Sequence, residues 1–168
     1  MELPKRKNIR LKDYDYSSNG AYFVTICVKD RHELLGEIVG RDVLIALTVR
    51  LSEYGNVVDK HINIINSSSK SAIIDKYIIM PNHLHMIIII KNEIGGYANG
   101  TMRTSCPTTV PNLLRSFKTM VSKEIGFSLW QSRYHDHIIR NEADYLRIWQ
   151  YIDENPIKWA EDEYYCDV

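Results

Sequence analysis

Cysteine, long apolar runs and net charge are all scarce in this sequence, and each scarcity excludes a class of protein. The cysteines are odd in number and form no Cys-x-x-Cys pair (Cys27, Cys106 and Cys166). This argues against a disulfide framework and a zinc knuckle, and it favours a reducing compartment. Apolar runs such as Met86 to Ile90 are far too short to span a bilayer. The basic N-terminus lacks the apolar core of a signal peptide, so we expect a cytoplasmic, nucleoid-associated protein with no membrane partner.

The absence of net charge removes any global signal for nucleic acid, but the charges are unevenly spread. Lys and Arg number 21 and are balanced by 21 Asp and Glu. Residues 1–20 form a basic arm, whereas residues 156–168 form an acidic tail. A basic arm can bind phosphates locally even when the total charge is zero. Charge alone leaves open whether this arm binds phosphate or is simply solvated.

The 168 residues, 45% of them hydrophobic and 25% charged, predict a single folded domain that spans 1–168. β-Branched and aromatic residues predict a strand over 21–29, and a short edge segment follows at 34–39. Apolar spacing predicts a helix from Asp42, its N-cap, to Lys60, then a loop over 62–70 and a strand from Ala72 to Met80. Residues 93–109 are rich in Gly, Ser and Thr and predict a mobile loop.

The second half of the chain predicts two helices that flank one more strand. Pro111 and the apolar spacing after it predict a helix to Ile125, ended by Gly126. A strand over Leu129–Ile139 and a last helix, capped by Asn141 and stopped at about Asn155 by Pro156, complete the order. This order predicts an α+β fold, close to a ferredoxin-like antiparallel sheet with helices on one face.

The stretch from Met80 to Ile90 predicts the strand on which a site is built. Pro81-Asn82 is a turn signal, which predicts an antiparallel hairpin with the preceding strand. The period of two places His83 and His85 on one face, and the apolar residues after them predict a strand covered on both faces. Two imidazoles on one face can converge on one metal ion. Buried histidines also occur as satisfied core residues.

The last helix separates its tyrosines by geometry. At 100° per residue, Tyr145 lies in the core stripe together with Ile148, Trp149 and Ile152. Tyr151 lies at the edge of that stripe, where its hydroxyl can reach a cleft, and Asn155 faces the same way one turn later. The pattern equally fits an edge packing residue followed by a helix cap.

Several motifs, in a fixed order, carry a resemblance to a known family. His83-Leu84-His85 resembles the His-hydrophobic-His motif of the HUH single-strand nucleases and transposases. The rest resembles the REP-associated tyrosine transposases, a branch of the single-tyrosine transposases of insertion sequences. The matching stretches are 6–11, 20–25, Trp130-Gln131, His137 to Asn141 and Tyr151 to Trp159. The resemblance covers nearly the whole chain apart from the Gly/Ser loop and the acidic tail.

The resemblance implies a metal-dependent endonuclease that cleaves and rejoins hairpin-containing single-stranded DNA. By position, Tyr151 matches the nucleophile that forms a 5′-phosphotyrosine, and His83, His85 and Asn155 match the metal ligands. The family's chemistry implies Mg²⁺ or Mn²⁺. A monomer and a homodimer both remain open. We expect phosphate contacts from Lys5, Arg6, Lys7, Arg10, Arg115 and Lys118.

Three rival interpretations differ from this one. A histidine-triad nucleotide hydrolase needs a third histidine where Ile87 stands. A catalytically inactive, transposase-derived protein that binds DNA hairpins would keep the fold and the basic arm. A structural metal domain would need a fourth ligand, for which His135 and His137 are candidates.

Overall fold

The computed structural model describes residues 15–40, 47–92 and 108–165. The strands are β1 (Gly20–Cys27), β2 (Gly36–Val39), β3 (Thr48–Leu51), β4 (Ala72–Ile79), β5 (His83–Ile90) and β6 (His135–Ile139). The helices are α1 (Glu53–Ser68), α2 (Val110–Ile125) and α3 (Glu142–Glu154). Asp42, most of the basic arm and most of the Gly/Ser loop lie outside the described residues. Within these ranges, no helix has both the length and the apolarity to cross a membrane.

The main sheet has four antiparallel strands in the order β4-β5-β1-β6, while β2 and β3 form a separate hairpin. With α1 between β1 and β4, and α2 between β5 and β6, this is the ferredoxin-like order, as predicted. β5 is a central strand and its hairpin with β4 is antiparallel, which also confirms the prediction. The register pairs Thr25 with His85 and Cys27 with His83.

Helices cover both faces of the sheet, which confirms the prediction that β5 is covered on both faces and shows that the expectation of helices on one face only is wrong. Val24 and Met86 belong to the larger apolar core, which includes residues of α1 and α2. On the opposite face, Ile148 and Ile152 of α3 pack against Ile87. Because side chains alternate along β5, the histidines share the α3 face with Ile87. The third helix thus forms one wall of the site.

The predicted helix from Asp42 to Lys60 is wrong in its first half. Residues Thr48–Leu51 pair with Gly36–Val39 as β3, and the helix begins only after Ser52, whose hydroxyl accepts from the Gly55 amide at 3.1 Å. Gly55 fits here because an added Cβ would lie 2.0 Å from the Leu35 carbonyl oxygen. The helix then continues to Ser68, across the predicted loop, because Ile62 and Ile65 keep the core face apolar.

The strand predicted over Leu129–Ile139 is correct only in its second half. Trp130 makes a single bridge to Val28, and β6 begins at His135. Between them, the carbonyls of Gln131 and Arg133 accept from the Lys118 ammonium at 2.6 and 3.4 Å. A side chain of α2 thus binds backbone acceptors that a longer strand would have used in its ladder.

Candidate active site

Two buried imidazoles meet at the start of β5. His83 is 0% exposed and His85 is 1% exposed, and their Nε2 atoms are 2.9 Å apart. Two nitrogens bound to one ion at about 2.1 Å, at right angles, would be about 3.0 Å apart. The pair therefore has the spacing of neighbouring ligands of a single metal ion.

Neighbouring side chains fix the orientation of both rings. The Asn82 amide nitrogen donates to the carbonyls of Tyr164 (2.8 Å) and Arg31 (3.3 Å), which leaves its oxygen to accept from His83 Nδ1 at 2.9 Å. The proton of the neutral His83 ring is therefore on Nδ1, and the Nε2 lone pair faces the site. Thr25 Oγ1 hydrogen-bonds His85 Nδ1 at 2.8 Å from the paired strand.

Burial keeps these imidazoles neutral. It lowers the pKa of His83 to about 4, although the nearby Asp162 carboxylate opposes the shift. It also lowers the pKa of His85 well below its usual value, helped by the proximity of His83. A neutral imidazole is the form that binds a metal.

Tyr151 extends from α3 towards this pair. Its hydroxyl lies 3.3 Å from His85 Nε2 and 3.5 Å from Asp162 Oδ2, and its ring contacts Phe23 edge-on at 6.0 Å. The side chain is 39% exposed, so it is accessible to a substrate. Burial, followed by the charges of Asp162 and Glu163, raises the pKa of Tyr151 above its usual value. The resting side chain is therefore a neutral phenol.

Tyr145 lies away from the histidines, on the side of α3 that faces β4. Its hydroxyl donates to the Asp75 carboxylate, and it packs beside the Ile148 cluster. Trp149, predicted in the same core stripe, is 39% exposed, and its ring lies under the Lys76 ammonium at 3.7 Å. The helix therefore points Tyr151, and not Tyr145, at the imidazoles.

Asn155 follows the last residue of α3 and is 1% exposed. Its amide nitrogen donates to Asp162 Oδ2 at 2.8 Å. Its Oδ1 is buried and has no hydrogen-bond partner among the described residues. A buried carbonyl oxygen without a partner is costly, and a cation would satisfy it.

Asp162 is the site residue that the sequence analysis missed. The segment after Pro156 folds back through a 3₁₀ turn, Trp159–Glu161, in which Trp159 is buried. The Tyr164 amide donates to Asp162 Oδ1 at 2.7 Å. The ligand atoms of His83, His85 and Asp162 all lie within 4.8 Å of one another. The sequence signal for this was Trp159, an aromatic residue in an otherwise acidic segment.

The atoms gathered here are of the kinds that bind a divalent cation. Two neutral imidazole nitrogens, one carboxylate and one amide oxygen without a partner are available to an ion here. Hard oxygen ligands suit Mg²⁺ and Mn²⁺, and imidazole is also accepted by Mn²⁺ and zinc.

An open cleft of about 390 Å³ adjoins His85 and Tyr151. Its lining includes Phe23, Tyr164, His135 and Arg147. His137 also lines the cleft, and its Nε2 hydrogen-bonds the Asp144 carboxylate at 2.7 Å. The cleft therefore presents aromatic rings, imidazoles, the Arg147 side chain and the Glu163 side chain beside Tyr151.

The predicted phosphate contacts are only partly described. Lys5, Arg6, Lys7 and Arg10 lie outside the described residues. Arg115 is exposed on α2. Lys118 is half-buried, and burial lowers its pKa to about 8. Both described residues belong to the helix that covers the sheet face opposite the imidazoles.

No family model matches the chain. An uncharacterised protein of Haemophilus influenzae is 38% identical over 176 residues, which cover 96% of this chain and 94% of that protein. The two chains therefore belong to one family. A second H. influenzae protein, named as a candidate REP-associated tyrosine transposase, is 23% identical over 86% of this chain and 74% of its own length.

A solved structure shares the fold. It is described as a REP-associated tyrosine transposase bound to a REP hairpin. It aligns with a TM-score of 0.60 at 20% identity, over 92% of this chain and 76% of the solved one.

Proposed function

We propose that this chain is a REP-associated tyrosine transposase, as its similarity to such proteins in sequence and fold supports, and that it cleaves and rejoins hairpin-containing single-stranded DNA through a 5′-phosphotyrosine. One observation carries the proposal. The Nε2 atoms of two neutral imidazoles are 2.9 Å apart, and the Tyr151 hydroxyl lies 3.3 Å from one of them. A metal site beside an accessible nucleophile is the arrangement that phosphoryl transfer requires.

We assign the metal-binding residues as His83, His85 and Asn155, with Asp162 as a fourth. The ion would be Mg²⁺ or Mn²⁺, and when bound it would neutralise phosphate charge and favour the phenolate over the phenol. The orphaned Asn155 oxygen and the short distance between the imidazoles support this assignment. Asn82 and Thr25 hold the two rings in place through their Nδ1 atoms.

In the proposed reaction, the Tyr151 oxygen attacks the scissile phosphorus. A bond forms between that oxygen and phosphorus, and the bond from phosphorus to the 3′-oxygen breaks. The phenolic proton is lost from Tyr151 and the leaving 3′-oxygen gains one, so charge and atoms balance. The phosphotyrosine retains the energy of the phosphodiester, so a 3′-hydroxyl can reverse the step and no ATP is needed.

The proposed partner is single-stranded DNA that carries a REP-like hairpin. The support is the solved relative, which is described as bound to a REP hairpin. Because the chain has no net charge, recognition would depend on hairpin shape, on stacking against aromatic rings and on local cations. The basic arm, with Lys5, Arg6, Lys7 and Arg10, would provide some of these cations.

The decisive experiment is a covalent-capture assay. Labelled hairpin DNA with single-stranded flanks is mixed with the protein and Mn²⁺, then separated on a denaturing gel. We expect a slower protein–DNA band that is lost with EDTA and with His85→Ala. The band should also be lost in Tyr151→Phe and persist in Tyr145→Phe, a matched control on the same helix.

Two results would overturn parts of this proposal. A band that survives Tyr151→Phe but not Tyr145→Phe would reassign the nucleophile. If no band forms while hairpin DNA binds tightly in a native gel, the protein binds hairpins without cutting them.

A further inference from the structure

A second cavity lies at the same end of the sheet, but on the opposite face. It is open, has a volume of about 540 Å³, and is formed by the C-terminal half of α2 and residues 126–132. Lys118 and Lys123 line it together with Thr119, Ser122, Ser128 and Ser132. No carboxylate is found among the described residues of its lining, although the chain as a whole is neutral. Lysines and small polar residues therefore dominate its lining.

Lys118 and Lys123 are the cations of this cavity. Among the described residues, no carboxylate lies within ion-pair distance of either lysine. The Lys118 ammonium donates to the carbonyls of Gln131 and Arg133, which leaves one of its three N–H groups for a ligand. Lys123 is exposed in the last turn of α2. An anion is the ligand that would complete this set of donors.

Aromatic residues give the cavity a second property. Phe127 lines the cavity and is 42% exposed, although its ring makes an edge-on contact with the Tyr54 ring at 5.4 Å between centroids. Trp130 also lines the cavity and is 94% buried, and its Nε1 has no hydrogen-bond partner among the described residues. An exposed ring beside lysines is the combination that binds single-stranded nucleic acid, since bases stack on rings and lysines bind phosphates.

The segment from Gln131 to His135 connects this cavity with the tyrosine cleft. Gln131 and Ser132 line the cavity, and His135 lines the cleft beside Tyr151. Four peptide steps separate Gln131 from His135, so their Cα atoms are at most about 14 Å apart. A short single strand can therefore reach from one to the other around β6, an edge strand of the sheet.

We propose that this cavity binds a phosphodiester of the single-stranded flank that leaves the tyrosine cleft. The inference rests on the proposed function for its DNA, but it concerns a different set of residues. Lys118 and Lys123 would hold the phosphate, and Phe127 would stack on a neighbouring base. The cavity would thus select substrates with a flank of sufficient length.

The test measures binding separately from cleavage. Fluorescence anisotropy compares two labelled hairpins, one with flanks of about ten nucleotides and one with flanks of about two. We expect Lys123→Gln and Ser132→Asp to weaken binding of the long-flank hairpin about fivefold and to leave the short-flank hairpin unchanged. The slope of log affinity against log salt should become shallower by about 0.7 in Lys123→Gln, which loses one contact. Lys70→Gln removes the same charge from the far end of the sheet and should behave as wild type.

The outcomes separate this inference from the proposed nuclease. Weaker long-flank binding by the two variants supports the cavity, even if the wild type forms no covalent band. Wild-type binding by both variants overturns the cavity, even if the covalent band is intact. Equal weakening with both hairpins also overturns it, because the contact would then be to the stem. A wild-type protein that binds neither hairpin would overturn both proposals.

Discussion

The Asn82 oxygen accepts a hydrogen bond from the Nδ1–H of His83, while the Asn82 amide nitrogen donates to the carbonyls of Tyr164 and Arg31. One amide thus connects the β4–β5 turn, the segment after β1 and the segment after α3. It also places the His83 lone pair towards His85. Outer partners of this kind affect metal affinity almost as much as the ligands do.

Asn82→Ala should therefore weaken Mn²⁺ binding about 10- to 100-fold. The ring of His83 would lose the acceptor that fixes its tautomer, while both imidazoles would remain. Isothermal titration calorimetry with Mn²⁺ measures the change. Asn66→Ala is the matched control. The Asn66 side chain also hydrogen-bonds backbone, donating to the Ile74 carbonyl and accepting from the Ile74 amide, but it lies away from the site. Equal affinities in wild type and Asn82→Ala would contradict the role assigned to this amide.

Asp144 connects β6 to the first turn of α3 and should make stability depend on acid. Its carboxylate accepts from Arg147 at 2.6 Å and from His137 at 2.7 Å, which lowers the pKa of Asp144 to about 2. Because the pKa of this carboxyl is lower in the folded protein than in the unfolded chain, where it is near 3.9, the charged Asp144 stabilises the fold at neutral pH. This stabilisation is lost as the pH falls towards 2 and the carboxylate is protonated. Asp144→Asn should therefore be less stable than wild type at pH 7, with the difference shrinking between pH 4 and pH 2.

Urea unfolding at a series of pH values measures this difference. Glu142→Gln removes another acid from the same helix turn, one with no ion pair among the described residues, so its difference from wild type should be smaller. A constant difference between Asp144→Asn and wild type down to pH 2 would show that the carboxylate charge is not its source.

Replacing Gly55 or Gly126 with alanine should destabilise the protein for different reasons and by different amounts. A Cβ at Gly55 would lie 2.0 Å from the Leu35 carbonyl oxygen, a backbone atom that cannot move alone. Gly126 ends α2 at φ +92, with nothing within 4 Å of an added Cβ. Gly55→Ala should cost about 3 kcal/mol through this overlap, whereas Gly126→Ala should cost about 1 kcal/mol through backbone strain.

Thermal unfolding separates the two variants. At about 3 °C per kcal/mol for a chain of this size, Gly55→Ala should lower Tm by roughly 10 °C and Gly126→Ala by roughly 3 °C. The reverse order would mean that α1 can move away from Leu35 more easily than the structure indicates.

The sequence was informative where local periodicity controls the result. Alternation after Pro81 was enough to predict a central strand with His83 and His85 on one face. The 100° step of a helix was enough to distinguish Tyr151 from Tyr145 before any contact was known. The caps Asn141 and Gly126 were likewise readable, because each acts on backbone groups within a few residues.

The sequence was uninformative where a contact joins distant segments. Asp162 belongs to an acidic stretch, and only its contacts in the folded chain, such as those with Asn155 and Tyr151, distinguish it from its acidic neighbours. The start of α1 was misplaced because the apolar spacing before Leu51 resembles a helix, while pairing with β2 makes these residues a strand. Lys118 was expected to contact phosphate, and no local pattern indicated that its ammonium also binds the backbone that precedes β6.

The pairing of Thr25 with His85 and of Cys27 with His83 makes the candidate site dependent on one alignment of two strands. Because neighbouring side chains point to opposite faces, a slip of one residue in β5 would carry both imidazoles into the apolar layer beneath α1 and α2. Collapsed chains with that slip would retain the sheet but could not bind the ion. Retention on an immobilised-metal column would therefore report correct strand alignment, independently of any DNA.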